Sequence, residues 1–421
     1  MTTVEAARPP LAGGAGAARF LGREAAYWRL RIKGAALLMF TLGLYRFWFA
    51  TDVRRYLWSN TEIGGETLEY TGLATELLGG FLLAIAIVGP LYTVIASAAL
   101  ALGTAEEAIL GIGLLLLAVL SQFALYRARR YRLTRTVFRG VRFDQHGSAW
   151  RYAPMAALWW ALAVVTLGLA YPWAQANLQR FKMRHTGYGD LQGSFAGSGS
   201  ALFLRGLPIW LLVVGPIVSA LVALDRMVDW NTLNSMMAQG GGKPLALLVG
   251  NSGVDVFVVI TAAIGISIAA AVLLYPLFAA TMWRWWISGL RFGAVSVRSG
   301  LSTAKVYRIY LRFFLYVVPY VIVMAAIGGA SLFASGVLIR SNHDSMLSEL
   351  FASALSLAIY VVVVLGVSTI YQVVVTFAMW RLGVETAELV GAEALDGVRA
   401  SGAPDSALGE GLVDALGVGG I

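Results

Sequence analysis

The chain has no cysteine and only three histidines among 421 residues. The first absence excludes disulfides, thiolate nucleophiles and cysteine metal ligands. His146, His185 and His343 lie too far apart in sequence to show metal-ligand spacing. Charge is scarce too: 13% of residues are Asp, Glu, Lys or Arg, against about a quarter in a typical soluble domain. The start, "MTTVEAARPPLAGGAGAARF", has no apolar core of signal-peptide type, so no cleaved leader is expected. Known chemical motifs fail in detail. "GGGKP" (240–244) lacks the upstream glycine and the hydroxyl residue that a phosphate loop places after its lysine. In "GYGDLQG" the third glycine is one residue late for a dinucleotide fingerprint, and "AGSGSA" (196–201) holds no serine in a G-x-S-x-G frame. No catalytic residue, metal site or cofactor emerges, and the chain reads as a non-enzyme.

What is abundant is apolar length. Hydrophobic residues make up 58% of the chain, and the mean hydropathy is +0.73. Runs at 77–102, 108–125, 153–176, 207–224, 254–280, 313–339 and 351–379 are each at or near the roughly 20 residues that cross a bilayer core. Trp and Tyr gather at the run ends, as interfacial belts do. The composition predicts a polytopic α-helical membrane protein. Its net charge of +9 then points to an anionic lipid leaflet and not to nucleic acid.

The sequence also repeats itself. At an offset of 125, "TLGL" at 41–44 matches "TLGL" at 166–169, and the register continues through Trp48/Trp173, Arg55/Arg180, Gly64/Gly189 and Gly72/Gly197. "VGP" at 88–90 matches "VGP" at 214–216, and a weaker third copy near an offset of 104 aligns Pro319 with Pro216. Three similar units follow, each centred on a helical hairpin whose first helix carries a proline: Pro90, Pro216 or Pro319. The expected segments are 1–19 disordered, 20–140 repeat 1, 141–288 repeat 2, 289–382 a partial repeat 3 and 383–421 an acidic tail.

Charge arithmetic decides the topology. If the TLGL segments span, the 32 basic residues divide 18 to 14 between the two sides. If instead they dip in and return, six spans remain, and the far loops hold only Arg226, Lys243 and Arg340 against 29 on the other side. That is a strong positive-inside signal, and it puts both termini in the cytoplasm. Gly43, Gly168 and Pro172 support a break in the helix within each TLGL segment; the 24-residue run at 153–176 is also long enough for an ordinary span. Arg46 would sit beside the turn, where Asp52 or another chain's carboxylate could pair with it. Between the helices, "IGGETLEYTG", "VFRGVRF", "GYGDLQGSFAG" and "LRFGAVSVRS" have strand character. The fold class expected is therefore an all-α polytopic membrane protein, with three repeated helical hairpins (six full spans), two TLGL re-entrant or spanning segments, and small cytoplasmic β segments.

"TLGLYRFWFATDVRRYLWSNTEIGGETLEYTG", "VRFDQHGSAWRY" and the closing "GEGLVDALGVGGI" resemble the YjgN-like family of bacterial inner-membrane proteins, a family of unknown function. The resemblance covers most of the chain from Phe20 onward. It implies a location in the bacterial cytoplasmic membrane and a similar repeated fold, and it supplies no substrate or catalytic residue.

The candidate structural or binding residues are Gly43, Arg46, Trp48, Asp52, Arg55, Gly168, Pro172, Trp173 and Arg180 of the TLGL repeats, with Pro90, Pro216 and Pro319. Each of these last three prolines removes a helix hydrogen bond and frees a carbonyl. The spans hold almost no central charge but do hold Ser368, Thr369 and Gln372. The basic run "YRARRYRLTRTVFRG" suits anionic lipid head groups as well as it suits a topology signal. Two functions follow: transport of a small or amphipathic solute, or a non-enzymatic scaffold that organises lipid. The tail carries seven acids over 383–421 and is expected to dock on the basic face. Membrane lipids are the expected partners.

Overall fold

The structure is a computed structural model, and it describes residues 16–101, 106–227, 253–341, 345–399 and 406–417. Residues 1–15, the "GGGKP" stretch with Lys243, and His343 lie outside the described residues. Gly16–Phe20 forms the first strand, so the disordered segment expected over 1–19 does not reach residue 19.

Eleven short strands make one antiparallel sheet. They are β1 (Gly16–Phe20), β2 (Thr61–Ile63), β3 (Glu66–Thr67), β4 (Glu69–Tyr70), β5 (Thr136–Phe138), β6 (Val141–Gln145), β7 (Thr186–Tyr188), β8 (Leu191–Phe195), β9 (Leu290–Phe292), β10 (Val295–Ser299) and β11 (Ala387–Val390). Their spatial order is β3-β2-β1-β11-β10-β9-β8-β7-β6-β5-β4. The two end strands, β3 and β4, are separated in the chain by Leu68 alone, so the sheet turns through a full circle and its edges meet. The scattered strand segments read from sequence are parts of this one ring. Phe138, Val141, Tyr188 and Val295 fill its interior together with Ala392, Leu395 and Val398, which follow β11.

Helix pairs leave the ring and return to the neighbouring strand. α1 (Glu24–Phe40) and α2 (Arg46–Ser59) join β1 to β2; α3 (Ala74–Ala101) and α4 (Glu106–Thr134) join β4 to β5. α5 (Ala149–Val165) and α6 (Tyr171–Arg184) join β6 to β7, and α7 (Gly199–Met227) and α8 (Gly253–Gly289) join β8 to β9. α9 (Thr303–Ser341) pairs with α10 (Ser345–Tyr371), which runs through a π-helical turn (Gln372–Phe377) into α11 (Ala378–Glu385) and β11. A last helix, α12 (Leu408–Leu416), packs against α3 and α4. Helix hands over to strand by a shared device: Thr61, Thr136, Thr186 and Thr386 each donate Oγ1 to the carbonyl four residues earlier, at 2.8, 2.8, 2.8 and 2.6 Å. Each bond gives a helix-end carbonyl a side-chain donor, and the Lys182 and Leu382 carbonyls also accept a backbone N–H.

Among the described residues, six helices are long and apolar enough to cross a membrane: Ala74–Ala101, Glu107–Thr134, Gly199–Arg226, Phe257–Gly289, Thr303–Gly336 and Glu349–Glu385. A 28-residue helix is about 42 Å long at 1.5 Å per residue, more than the roughly 30 Å of a hydrocarbon core. At most 11% of the most apolar window of each is buried. Apolar surface turned outward on this scale has lipid as its solvent. The chain is a multi-pass membrane protein.

The chain divides into two compact units, one of Met1–Leu158, Leu178–Gly197 and Trp286–Ile421, the other of Trp159–Asn177 and Ser198–Trp285. The ring lies wholly within the first. In the second, Trp173 packs on Phe203 with ring centroids 4.7 Å apart, and Trp210 Nε1 donates to the Leu167 carbonyl at 2.7 Å.

Candidate functional site: an arginine-lined cavity

Both TLGL segments are tight turns between helices. Leu42 and Gly43 have φ of 50° and 89°, and Leu167 and Gly168 have φ of 50° and 91°. Thr41 and Thr166 cap the turns in the same way, each accepting from the backbone N–H four residues on, at 3.0 Å. An L residue pays for left-handed backbone and glycine does not, which is why the sequence places a glycine there. Pro172 is the second residue of α6, a first-turn position where its missing N–H costs nothing. Leu42 at the first turn is 95% exposed, with Phe40 at 78%.

The first turn folds α2 back beside α1, and five helices, with α3 contributing Leu77, surround a cavity of about 200 Å³. α1 contributes Arg31, α2 contributes Arg46 and Arg54, α10 contributes Ser368 and Thr369, and α12 contributes Glu410 and Asp414. Arg31 is 2% exposed, lies 5.6 Å from the Tyr27 ring centroid and 5.0 Å from that of Phe49, and leaves Nε and Nη1 without a hydrogen-bond partner. Its burial lowers the guanidinium pKa, against the pull of Tyr27, yet an arginine stays charged. Arg46 lies 4.0 Å from the Phe81 ring centroid and 4.8 Å from that of Phe47.

The carboxylates answer only part of this charge. Glu410 accepts from Arg54 at 2.9 Å and lies 3.1 Å from Arg132 Nε. Burial works against the Arg54 charge, but Glu410 and Tyr70 outweigh it and raise the pKa. Burial raises the Asp414 pKa, with Arg46 pulling the other way. Beyond Arg132, on α6, burial and then Arg129 and Arg132 push the Lys182 ammonium down to about 7. Arg54, Arg132, Arg129 and Lys182 form a cationic cluster, and Glu410 pairs with two of its members, Arg54 and Arg132.

Several expected residues have other work. Asp52 accepts from the Tyr45 hydroxyl at 3.4 Å, and the carboxylate that acts on Arg46 is Asp414, so the expected Arg46–Asp52 pair is replaced. Trp48 is 40% exposed and stacks on Tyr45. Arg55 donates to the Gly72 carbonyl at 3.1 Å, and Arg180 to that of Gly197 at 3.0 Å. Pro90, Pro216 and Pro319 lie inside α3, α7 and α9, which run on through them, and none lines this cavity. His146 and His185, distant in sequence, meet where β6 joins β7: the His146 N–H donates to the His185 carbonyl at 2.7 Å. Among the described residues no three of His, Asp and Glu are placed to hold a metal ion. Sequence reasoning missed Arg31 and Arg54, whose counterparts 125 residues on are Ala156 and Gln179, so the repeat gave no signal.

α12 is held by close backbone approach. A Cβ at Gly411 would overlap the Gly80 backbone, and one at Gly409 the backbone at Arg127. Leu412 and Val413 pack on Ala84, Ala124 and Ala128. The closing "GEGLVDAL" is thus a docked helix, as its charge and pattern predict.

No curated protein and no solved structure matches the chain. A family model described as bacterial protein of unknown function matches residues 15–415, from the first strand of the ring to the docked C-terminal helix. The chain therefore belongs to the DUF898 family of bacterial proteins of unknown function.

Proposed function

We propose that the protein transports a small or amphipathic solute at the bacterial cytoplasmic membrane, without enzymatic chemistry of its own. One observation carries this reading: a cavity lined by Arg31, Arg46 and Arg54 beside α3 and α10, two helices long and apolar enough to cross a membrane. Buried arginines that lack a close carboxylate are expensive and suit an anionic ligand. Both ends of every helix pair join the strand ring, which supports the six-span topology and a cytoplasmic ring under the 29-to-3 charge split. The exposed apolar tip of the first TLGL turn suits a pair that dips into the bilayer and returns. A scaffold that organises lipid is the second reading. In its favour, Pro90, Pro216 and Pro319, the residues best suited to breaking a transport helix, stay outside the cavity.

The test is flux. Solutes retained by the purified protein are identified by mass spectrometry and loaded into vesicles that contain wild-type protein or Arg46→Gln. Faster release through the wild type supports transport; equal release from both sinks it and leaves the scaffold.

A further inference from the structure

Beside the arginine cavity lies a second space of different character. It is a groove of about 370 Å³ between α1, α9 and α10, lined by Trp28, Ile32, Met39, Tyr320, Gly366 and Ile370 among others. Its walls are apolar except for the polar tips of Thr369, Tyr320 and Trp28. Tyr320 forms one side, with its hydroxyl tied to the Val362 carbonyl at 2.8 Å and its ring pressed on Gly366. Ile32 is 57% exposed and Met39 42%, so the groove opens outward. Ala35, Leu365 and Thr369 line both spaces, so cavity and groove adjoin across these three side chains.

We infer that the two spaces form one site for an anionic amphipath with a single acyl chain, its head group at Arg31 and Arg46 and its chain in the groove; this rests on the cavity being the solute site. Arg54 is answered by Glu410, which Arg132 also approaches. Neither Arg31 nor Arg46 lies within ion-pair distance of a carboxylate among the described residues; Arg46 feels Asp414 only at longer range. Arg31 buries two donor nitrogens with no acceptor. Unpaired buried donors carry a desolvation cost that an anion's oxygens remove, and arginine binds carboxylate and phosphate oxygens two at a time. A cavity of about 200 Å³ is small for a whole ligand, since such sites run from about 300 Å³ upward. It fits a compact head, a carboxylate or a phosphate monoester. The single adjoining groove fits one chain.

The experiment is equilibrium binding to the full-length protein in a non-ionic detergent. The probes are palmitate and a monoacylglycerol phosphate, compared with uncharged monopalmitoylglycerol, octanoate and inorganic phosphate. Both long-chain anions are expected to saturate at one per chain and to bind at least tenfold more tightly than the uncharged ester. Arg46→Gln should weaken them about tenfold, with partial recovery in Arg46→Lys. Ile32→Trp, which fills the groove from an exposed position, should weaken palmitate and leave octanoate unchanged. Arg31→Gln should act like Arg46→Gln; because Arg31 is buried, Arg46 and Ile32 carry the test if that variant does not fold. Uncharged ester binding as well as palmitate, or indifference to Arg46→Gln, overturns the inference. So does inorganic phosphate binding as tightly as the lipid phosphate, which would mean a site for free anions. Binding without vesicle flux would sink transport and keep this site, whereas flux of a different retained solute, with no binding of these lipids, would do the reverse.

Discussion

Glu410 accepts a hydrogen bond from Arg54 at 2.9 Å across 356 residues of chain, and the two side chains are 9% and 8% exposed. Removing one partner of such a pair strands the other charge, at a cost of about 3–5 kcal/mol. Glu410→Gln should therefore lower the midpoint of thermal unfolding in detergent sharply. The double variant Arg54→Met/Glu410→Leu should recover the part of the loss that comes from Arg54, while Arg132, which also approaches Glu410, stays without its carboxylate. An unchanged midpoint for Glu410→Gln would mean that α12 does not dock as described.

Gly411 tests the same docking through shape. Its backbone lies against Gly80, leaving no room for a methyl group. Gly411→Ala should release α12 and speed amide exchange over 406–417, while Gly417→Ala, with open space around it but φ of 65°, should cost only local strain at the helix end. Equal exchange in Gly411→Ala and wild type contradicts the close approach.

Gly168 and Gly43 separate a turn from a helix. A Cβ at Gly43 meets nothing within 4 Å, and one at Gly168 meets only the Trp210 ring at 3.7 Å, so neither substitution is blocked by space. The penalty is conformational, because both have φ near 90°. Gly168→Ala and Gly43→Ala should each lower thermal stability. Gly265→Ala, inside α8 with open space around it, should be neutral or stabilising by about 1 kcal/mol. A gain in stability for Gly168→Ala would restore a continuous helix.

Lys182 gives a pH dependence with a definite sign. Its pKa in the folded protein is lowered to about 7 from an ordinary 10.5, so between those values the unfolded chain binds more protons. Stability from this residue must then rise with pH across that window. Below about 7 the lysine is charged in both states, and its burial cost is felt in full. Lys182→Met should raise the thermal midpoint below pH 7 and flatten its rise towards pH 10. A wild-type midpoint that falls from pH 7 to 9 more steeply than that of Lys182→Met contradicts the assignment.

Topology is open to direct labelling because no native cysteine interferes. Single cysteines at Glu69, Asp190 and Arg298, exposed residues in or beside ring strands, should all react from the cytoplasmic side. One at Leu100, near the far end of α3 and 85% exposed, should react from the other side or be shielded by lipid. Reaction of Glu69 and Asp190 from opposite sides would make the TLGL segments spans.

The sequence by itself determined the solvent of this protein and the places where its helices stop. Long apolar runs have no stable home but lipid, and the six helices lie where those runs are. The TLGL glycines were legible because left-handed backbone selects glycine locally, without help from distant residues. The amphipathic end of the tail was legible for a similar reason, since its pattern and charge complement the basic face. The ring and the cavity depend on contacts remote in the chain. β1 must find both β2 and β11 before the sheet closes, and strands of two to five residues carry too little pattern to name their partners. Arg31, Arg46 and Asp414 converge only after the first TLGL turn folds α2 against α1 and α12 docks on α3 and α4. Composition set how many charges the chain carries. The tertiary structure alone decided which arginines keep a carboxylate and which are left facing a cavity.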